Sequence, residues 1–110
     1  MILNLRAVGL KLTPAIHSYV EKKFQLLDKY AAKIKLIDVD LGLATHHHQK
    51  GEIYICSAKV ELLREEQVIT VEKREEDLYK AIDKVKDHLR EVLIEKKERK
   101  RDGWRQGSKL

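Results

Sequence analysis

The chain of 110 residues has one cysteine, one proline, one methionine, one tryptophan and one phenylalanine. A lone thiol, Cys56, cannot close an internal disulfide, which excludes the stapled secreted scaffolds and fits a reducing compartment. One Pro and five Gly are too few for a linker-rich or low-complexity protein. No apolar run approaches the ~20 residues that span a bilayer. The opening MILNLRAVGL is broken by Asn4 and Arg6 and lacks a basic leading region, so it does not read as a signal peptide. The expected location is cytoplasmic. Catalytic motifs are missing as well: there is no P-loop, no G-x-S-x-G, no H-E-x-x-H and no Cys–His arrangement at usable spacing. Asp38 and Asp40 share one face of a strand and come nearest to an acid–base pair. Ordinary solvent-facing alternation accounts for them. The chain reads as a non-enzyme with no cofactor.

What is present is charge, unevenly placed. Charged residues make up 37% of the chain and the net charge is +5. The first 95 residues carry 16 basic and 16 acidic side chains, so the whole excess falls in the last 15. A second local excess runs from Lys22 to Lys35, with five Lys against Asp28. The opposite excess, Glu61 to Asp77, sets seven acids against Arg64, Lys73 and Arg74. Such polarity suits a polyanion approached from one side.

The apolar pattern fits one domain, expected over 1–101, with a flexible tail over 102–110. ILNLRAVG reads as a strand closed by Gly9. Thr13 is a natural N-cap and Pro14 fits the first helical position, where its missing N–H costs nothing. Ile16, Val20, Phe24 and Leu27 recur at helical spacing as far as Tyr30, leaving Lys22 and Lys29 pointing away and Lys23 at the edge. IKLIDVDLGL alternates, with Ile37, Val39, Leu41 and Leu43 on one side. ATHHHQKG reads as a loop. EIYICSAKVELL alternates again, placing Tyr54, Cys56, Ala58, Val60 and Leu62 together. REEQ turns the chain, and VITVEK is a short fourth strand rich in β-branched residues. A last helix begins near Asp77, with Leu78, Ile82, Val85, Leu89 and Val92 as its stripe. Its leading acids Glu75, Glu76 and Asp77 suit a helix N-terminus. The order is β-α-β-β-β-α. A helical crossover makes the first two strands parallel and the connection right-handed. The expected fold is an α+β two-layer sandwich, a four-stranded mixed sheet with two helices on one face.

Two segments, LNLRAVGLKLTPAIHSYVEKKFQLLDKY and EEDLYKAIDKVKDHL, resemble the ribosome hibernation-promoting factor / ribosome-associated inhibitor family, the ribosomal subunit interface proteins. D-L-Y-x-A-I-D is the most specific element, supported by T-P-A-I before a Lys-bearing helix, and the similarity extends to about Lys97. The resemblance implies a domain that binds the small ribosomal subunit on the ribosomal RNA of the decoding region. It would block the messenger and transfer RNA sites and keep ribosomes idle under stress. Long members add a C-terminal dimerisation domain, and this chain looks like the short form or an isolated N-terminal domain. Family members place basic residues at positions matching His88, Glu91 and Glu95, where this chain departs; only Lys84 and Arg99 are cations on that flank. Lys23 and Lys29 match family basic positions better.

The expected RNA-binding residues on the first helix are Lys22, Lys23 and Lys29. On the last helix they are Lys84, Lys86 and Arg90, followed by its basic end, Lys96, Lys97, Arg99, Lys100 and Arg101. Lys86, Arg90, Lys97 and Arg101 form one stripe by helical spacing. Five cations in the six residues KKERKR exceed what a helix C-terminus needs. Lys and Arg supply sequence-independent affinity for nucleic acid by releasing counterions. Folded RNA is read largely through phosphates and 2′-hydroxyls. Consecutive residues His46, His47 and His48 point different ways in a loop and have no Cys or acid at zinc-site spacing, so no metal site is expected. Tyr79 reads as packing with one hydroxyl partner, Trp104 as part of the tail. A sheet that stacks bases would need exposed aromatics, and Tyr54 is expected to point inward. The expected partner is the small ribosomal subunit and its RNA, with no membrane, no small-molecule substrate, and any ribosome pairing left to other factors. Two alternatives stand beside it: a general structured-RNA-binding protein, and a protein-interaction module that modulates a transcription factor.

Overall fold

The computed structural model describes residues 1–30, 34–44, 51–63 and 65–109, with side chains as far as Arg99. Strand β1 (Ile2–Val8) leads into helix α1 (Pro14–Gln25) and a 3-10 turn over Leu26–Lys29. Strands β2 (Ile34–Leu43), β3 (Tyr54–Leu62) and β4 (Val68–Glu75) follow, and helix α2 (Leu78–Lys109) closes the chain. The sheet order is β1-β2-β3-β4. β1 runs parallel to β2, while β2–β3 and β3–β4 are antiparallel. Both helices cover one face, as the patterns predict.

Local chemistry sets the element boundaries. Gly9, at φ 77°, takes the left-handed turn that ends β1. The Thr13 hydroxyl accepts from the Ile16 N–H at 3.2 Å, and Pro14 follows at the first helical position. The predicted first helix changes pitch at Leu26. Leu27 is the buried residue of that turn and joins Phe24 of α1 in the core, both fully buried. At α2 the Asp77 carboxylate accepts from the Tyr79 N–H at 2.9 Å, capping the helix where its dipole favours an anion.

The register explains the core. Leu3, Leu5 and Ala7 pair with Ile37, Val39 and Leu41, which in turn oppose Val60, Ala58 and Cys56. With Ile69 and Val71 of β4 these side chains face the helices. Val20, Phe24 and Leu27 cover them from one side, and Leu78, Ala81, Ile82, Val85, Leu89 and Leu93 from the other. Two sequence expectations shift. β4 extends to Glu75, two residues beyond VITVEK. Leu93 is 2% exposed while Val92 stays half-buried. By helical spacing Leu93 lies on the α1 side of the stripe, and it joins the same buried cluster as Leu27.

The opposite sheet face carries no second layer among the described residues. Asn4 Nδ2 donates to Asp38 Oδ1 and Arg6 Nε to Asp40 Oδ1, both at 2.9 Å. The two aspartates are thus tied to neighbours on β1 rather than to each other.

Cys56 is fully buried on β3, and that burial pushes its thiol up to about 12. The thiolate is the reactive form. A soluble thiol reagent at pH 8 should therefore label the native protein only as fast as it unfolds, and the denatured protein at once. Fast labelling without denaturant would show that β3 is not covered as described. The expected loop with His46, His47 and His48 lies outside the described residues, as do the side chains from Lys100 onward, Trp104 included; the backbone of the stretch expected as a tail continues α2 as far as Lys109.

Candidate nucleic-acid interface

The two helices run in the same direction across the sheet. Contacts between them ascend together: Tyr19 meets Tyr79, Lys23 meets Asp83, and Tyr30 meets Arg90. This parallel seam brings Lys23, and Lys29 of the turn that follows α1, beside one flank of the second helix.

Its upper half is locked. Tyr19 and Tyr79 meet edge to face, with centroids 4.8 Å apart. The Tyr19 hydroxyl donates to Asp83 Oδ1 at 2.6 Å. Burial, reinforced by that bond, pushes the phenol up to about 12. Lys23 Nζ lies 3.6 Å from the same carboxylate oxygen and 5.3 Å from the Tyr19 ring centre. Its charge is thereby shared with Asp83 before any ligand arrives.

The lower half differs. Lys29 Nζ and Arg90 Cζ stand 5.4 and 5.5 Å from the Tyr30 ring centre. Just beyond, Lys29, Tyr30, Ile94, Lys97 and Glu98 line a shallow cleft of about 240 Å³. Among the described residues Lys22, Lys29, Arg90 and Lys97 have no carboxylate within 4.0 Å.

The remaining expected contacts are already engaged. Lys84, on the outward flank, is bonded to Glu75 of β4, and that bond holds the Glu75 carboxyl below its usual range. Lys86 reaches Asp87 at 3.2 Å and its side chain is only 15% exposed. Lys96 sits on the sheet side of α2, where the core has ended, and bonds Glu65 of the β3–β4 connection at 2.5 Å. Arg99 pairs with Glu95 at 2.7 Å, four residues away on the same helix. The Lys100 and Arg101 side chains lie outside the described residues. Tyr79 is 39% exposed and packs on Tyr19. Tyr54, expected to point inward, is half-buried, with its hydroxyl donating to Glu52 at 3.0 Å. It lies on the helix side of the sheet, in register with Glu75.

Residues 3–101 match the family described as sigma 54 modulation protein / S30EA ribosomal protein. The chain belongs to that family. Among solved structures, the N-terminal domain of Thermus thermophilus Protein Y is 31% identical, with a TM-score of 0.73, and the match covers 86% of this chain and 98% of that one. A ribosomal subunit interface protein from Coxiella burnetii superposes equally well, at TM-score 0.73, over 88% of this chain and 98% of that one. At 22% identity that second likeness shows the fold alone. No curated protein matches the chain.

Within this S30EA-family chain, Asp83 belongs to the segment DLYKAID, and its part in the seam was not legible in the sequence. Its two partners, Tyr19 and Lys23, sit 64 and 60 residues earlier. Tyr30 was also missed. The available signal was an aromatic directly after Lys29 at the end of an amphipathic helix, where it must lie beside whatever packs on that helix. No group of three or more His, Cys, Asp or Glu side chains among the described residues forms a metal site. No described helix is long and apolar enough to cross a membrane.

Proposed function

We propose that this chain binds the ribosome, seating the α1–α2 seam on small-subunit ribosomal RNA in the decoding region. Held there, it would keep messenger and transfer RNA out and preserve idle ribosomes under stress, in the cytoplasm and without catalysis. One observation carries the reading: among the described residues four cations lack a carboxylate partner, of which Lys29, Arg90 and Lys97 gather at the lower end of the seam between two parallel helices and Lys22 is exposed on α1. Membership of a ribosomal protein family and the likeness to Protein Y support the partner. A rigid two-helix surface suits folded RNA, which is recognised by shape and through its phosphates.

The first test is co-sedimentation with ribosomes in a sucrose gradient. Affinity measured by pelleting should then fall linearly in log K against log salt. Each neutralised phosphate contributes roughly −0.7 to −0.9 to the slope, so four free cations give about −3 to −4. A flat salt response would remove the electrostatic account. The family description also joins sigma 54 modulation to ribosomal proteins, which keeps a protein-interaction reading in view. That reading expects no co-sedimentation at any salt.

A further inference from the structure

Tyr30 caps the 3-10 turn and is half-buried, with Lys29 and Arg90 both over its ring. Elsewhere on α2 the described ion pairs steady a cation with a carboxylate: Lys84 with Glu75, Lys86 with Asp87, Lys96 with Glu65, Arg99 with Glu95. A carboxylate orients a cation by cancelling its charge. An aromatic face orients it through a quadrupole and leaves the full charge available. Arg90 is also the cation whose planar fork matches a phosphate in two places at once.

We propose that the cleft beside Tyr30 is a binding subsite for one phosphodiester of an RNA backbone, which rests on the RNA-binding reading above. Arg90 does not itself line the cleft; it stands over the ring of Tyr30, which does, and supplies the fork from there. Lys29 and Lys97 supply further positive charge, and Ile94 gives the cleft an apolar wall. Among the described residues Glu98 is the one acid in its lining, and it works against the ligand. Tyr30 acts as a positioning residue: it contributes no charge, but it reduces the ordering that Arg90 and Lys29 must undergo on binding.

The test is a salt series of ribosome pelleting on the full chain and its variants, with circular dichroism as the folding control. Arg90→Gln should weaken binding and reduce the salt slope by about 0.7 to 0.9, the loss of one neutralised phosphate. Tyr30→Leu should weaken binding about two- to fivefold, the weight of one exposed cation–π contact, with the slope unchanged. Tyr30→Phe keeps the ring and should bind as the parent does. Glu98→Gln should tighten binding, and by more than Glu95→Gln, which removes the same charge from the outward flank. Damage to the fold cannot produce that gain. If the parent pellets but Arg90→Gln and Tyr30→Leu bind equally well, the cleft is a bystander and the proposal falls. If the parent does not pellet, the ribosome reading fails on its own. The same series on a hairpin RNA then decides the cleft, and no binding to that RNA overturns it.

Discussion

Changing Lys29 and Arg90 together to glutamate should cut ribosome affinity at least about 100-fold at fixed salt. The estimate follows from removing two charge-assisted contacts, each worth roughly 1.5–3 kcal/mol, before any repulsion from the new carboxylates. Both side chains are exposed and neither takes part in the core. Exposed charges away from caps and cores usually shift stability by less than about 0.5 kcal/mol, so the double variant should still fold. The informative partner is Lys84→Gln. Lys84 lies on the outward flank and already spends its charge on Glu75, so its removal should cost binding far less. Glutamine is the right replacement, because a glutamate there would face Glu75 directly. Ribosome pelleting of both variants, with circular dichroism alongside, reads the result. If Lys84→Gln proves the more damaging, the outward flank touches RNA and the seam is only a scaffold.

The fold was legible because its rules are local. Period-two alternation in IKLIDVDLGL and EIYICSAKVELL sets which side chains enter the core, and the register bears it out down to Cys56 against Leu41. Thr13 before Pro14 marks a helix start that owes nothing to the rest of the molecule. Errors arise where tertiary contacts choose between two local options. Val92 and Leu93 both flank the stripe of α2, and only the way the helix is set on the core selects Leu93, which is buried while Val92 is half-buried. The end of β4 is likewise set by pairing: Lys73, Arg74 and Glu75 continue the ladder because Cys56, Ile55 and Tyr54 stand opposite.

The candidate site was legible only as a list of lysines and arginines. A sequence shows how many cations a surface has, not which are neutralised. Lys96 looks as free as Lys97 until the β3–β4 connection brings Glu65 to it from 31 residues away. Arg90 and Lys86 share a predicted stripe, yet one stands over Tyr30 and the other is covered and held by Asp87. Net charge therefore speaks to the kind of partner a surface would suit, and the pairing of charges to which cations are open to one.

The core supplies the largest stability effect. Ile82 is fully buried midway along the apolar stripe of α2, in the layer that covers β3 and β4. Ile82→Ala removes apolar contacts from close-packed surroundings and leaves a cavity, costing about 2–5 kcal/mol. Against a total of about 5–15 kcal/mol for a domain of this kind, that is a large fraction. The melting temperature should fall by roughly 10 °C or more, at about 4–8 °C per kcal/mol. In a urea titration the midpoint should drop with the slope unchanged, because the surface exposed on unfolding hardly alters. Leu93→Ala should behave the same way, since Leu93 is 2% exposed. Val92→Ala, on the half-buried outward side, should cost less than about 1 kcal/mol, below the range for a buried truncation. The ordering of the last two variants is the sharp part of the test. If Val92→Ala costs as much as Leu93→Ala, α2 is rotated about its axis from the position described. Arg90 would then turn away from Tyr30 along with it.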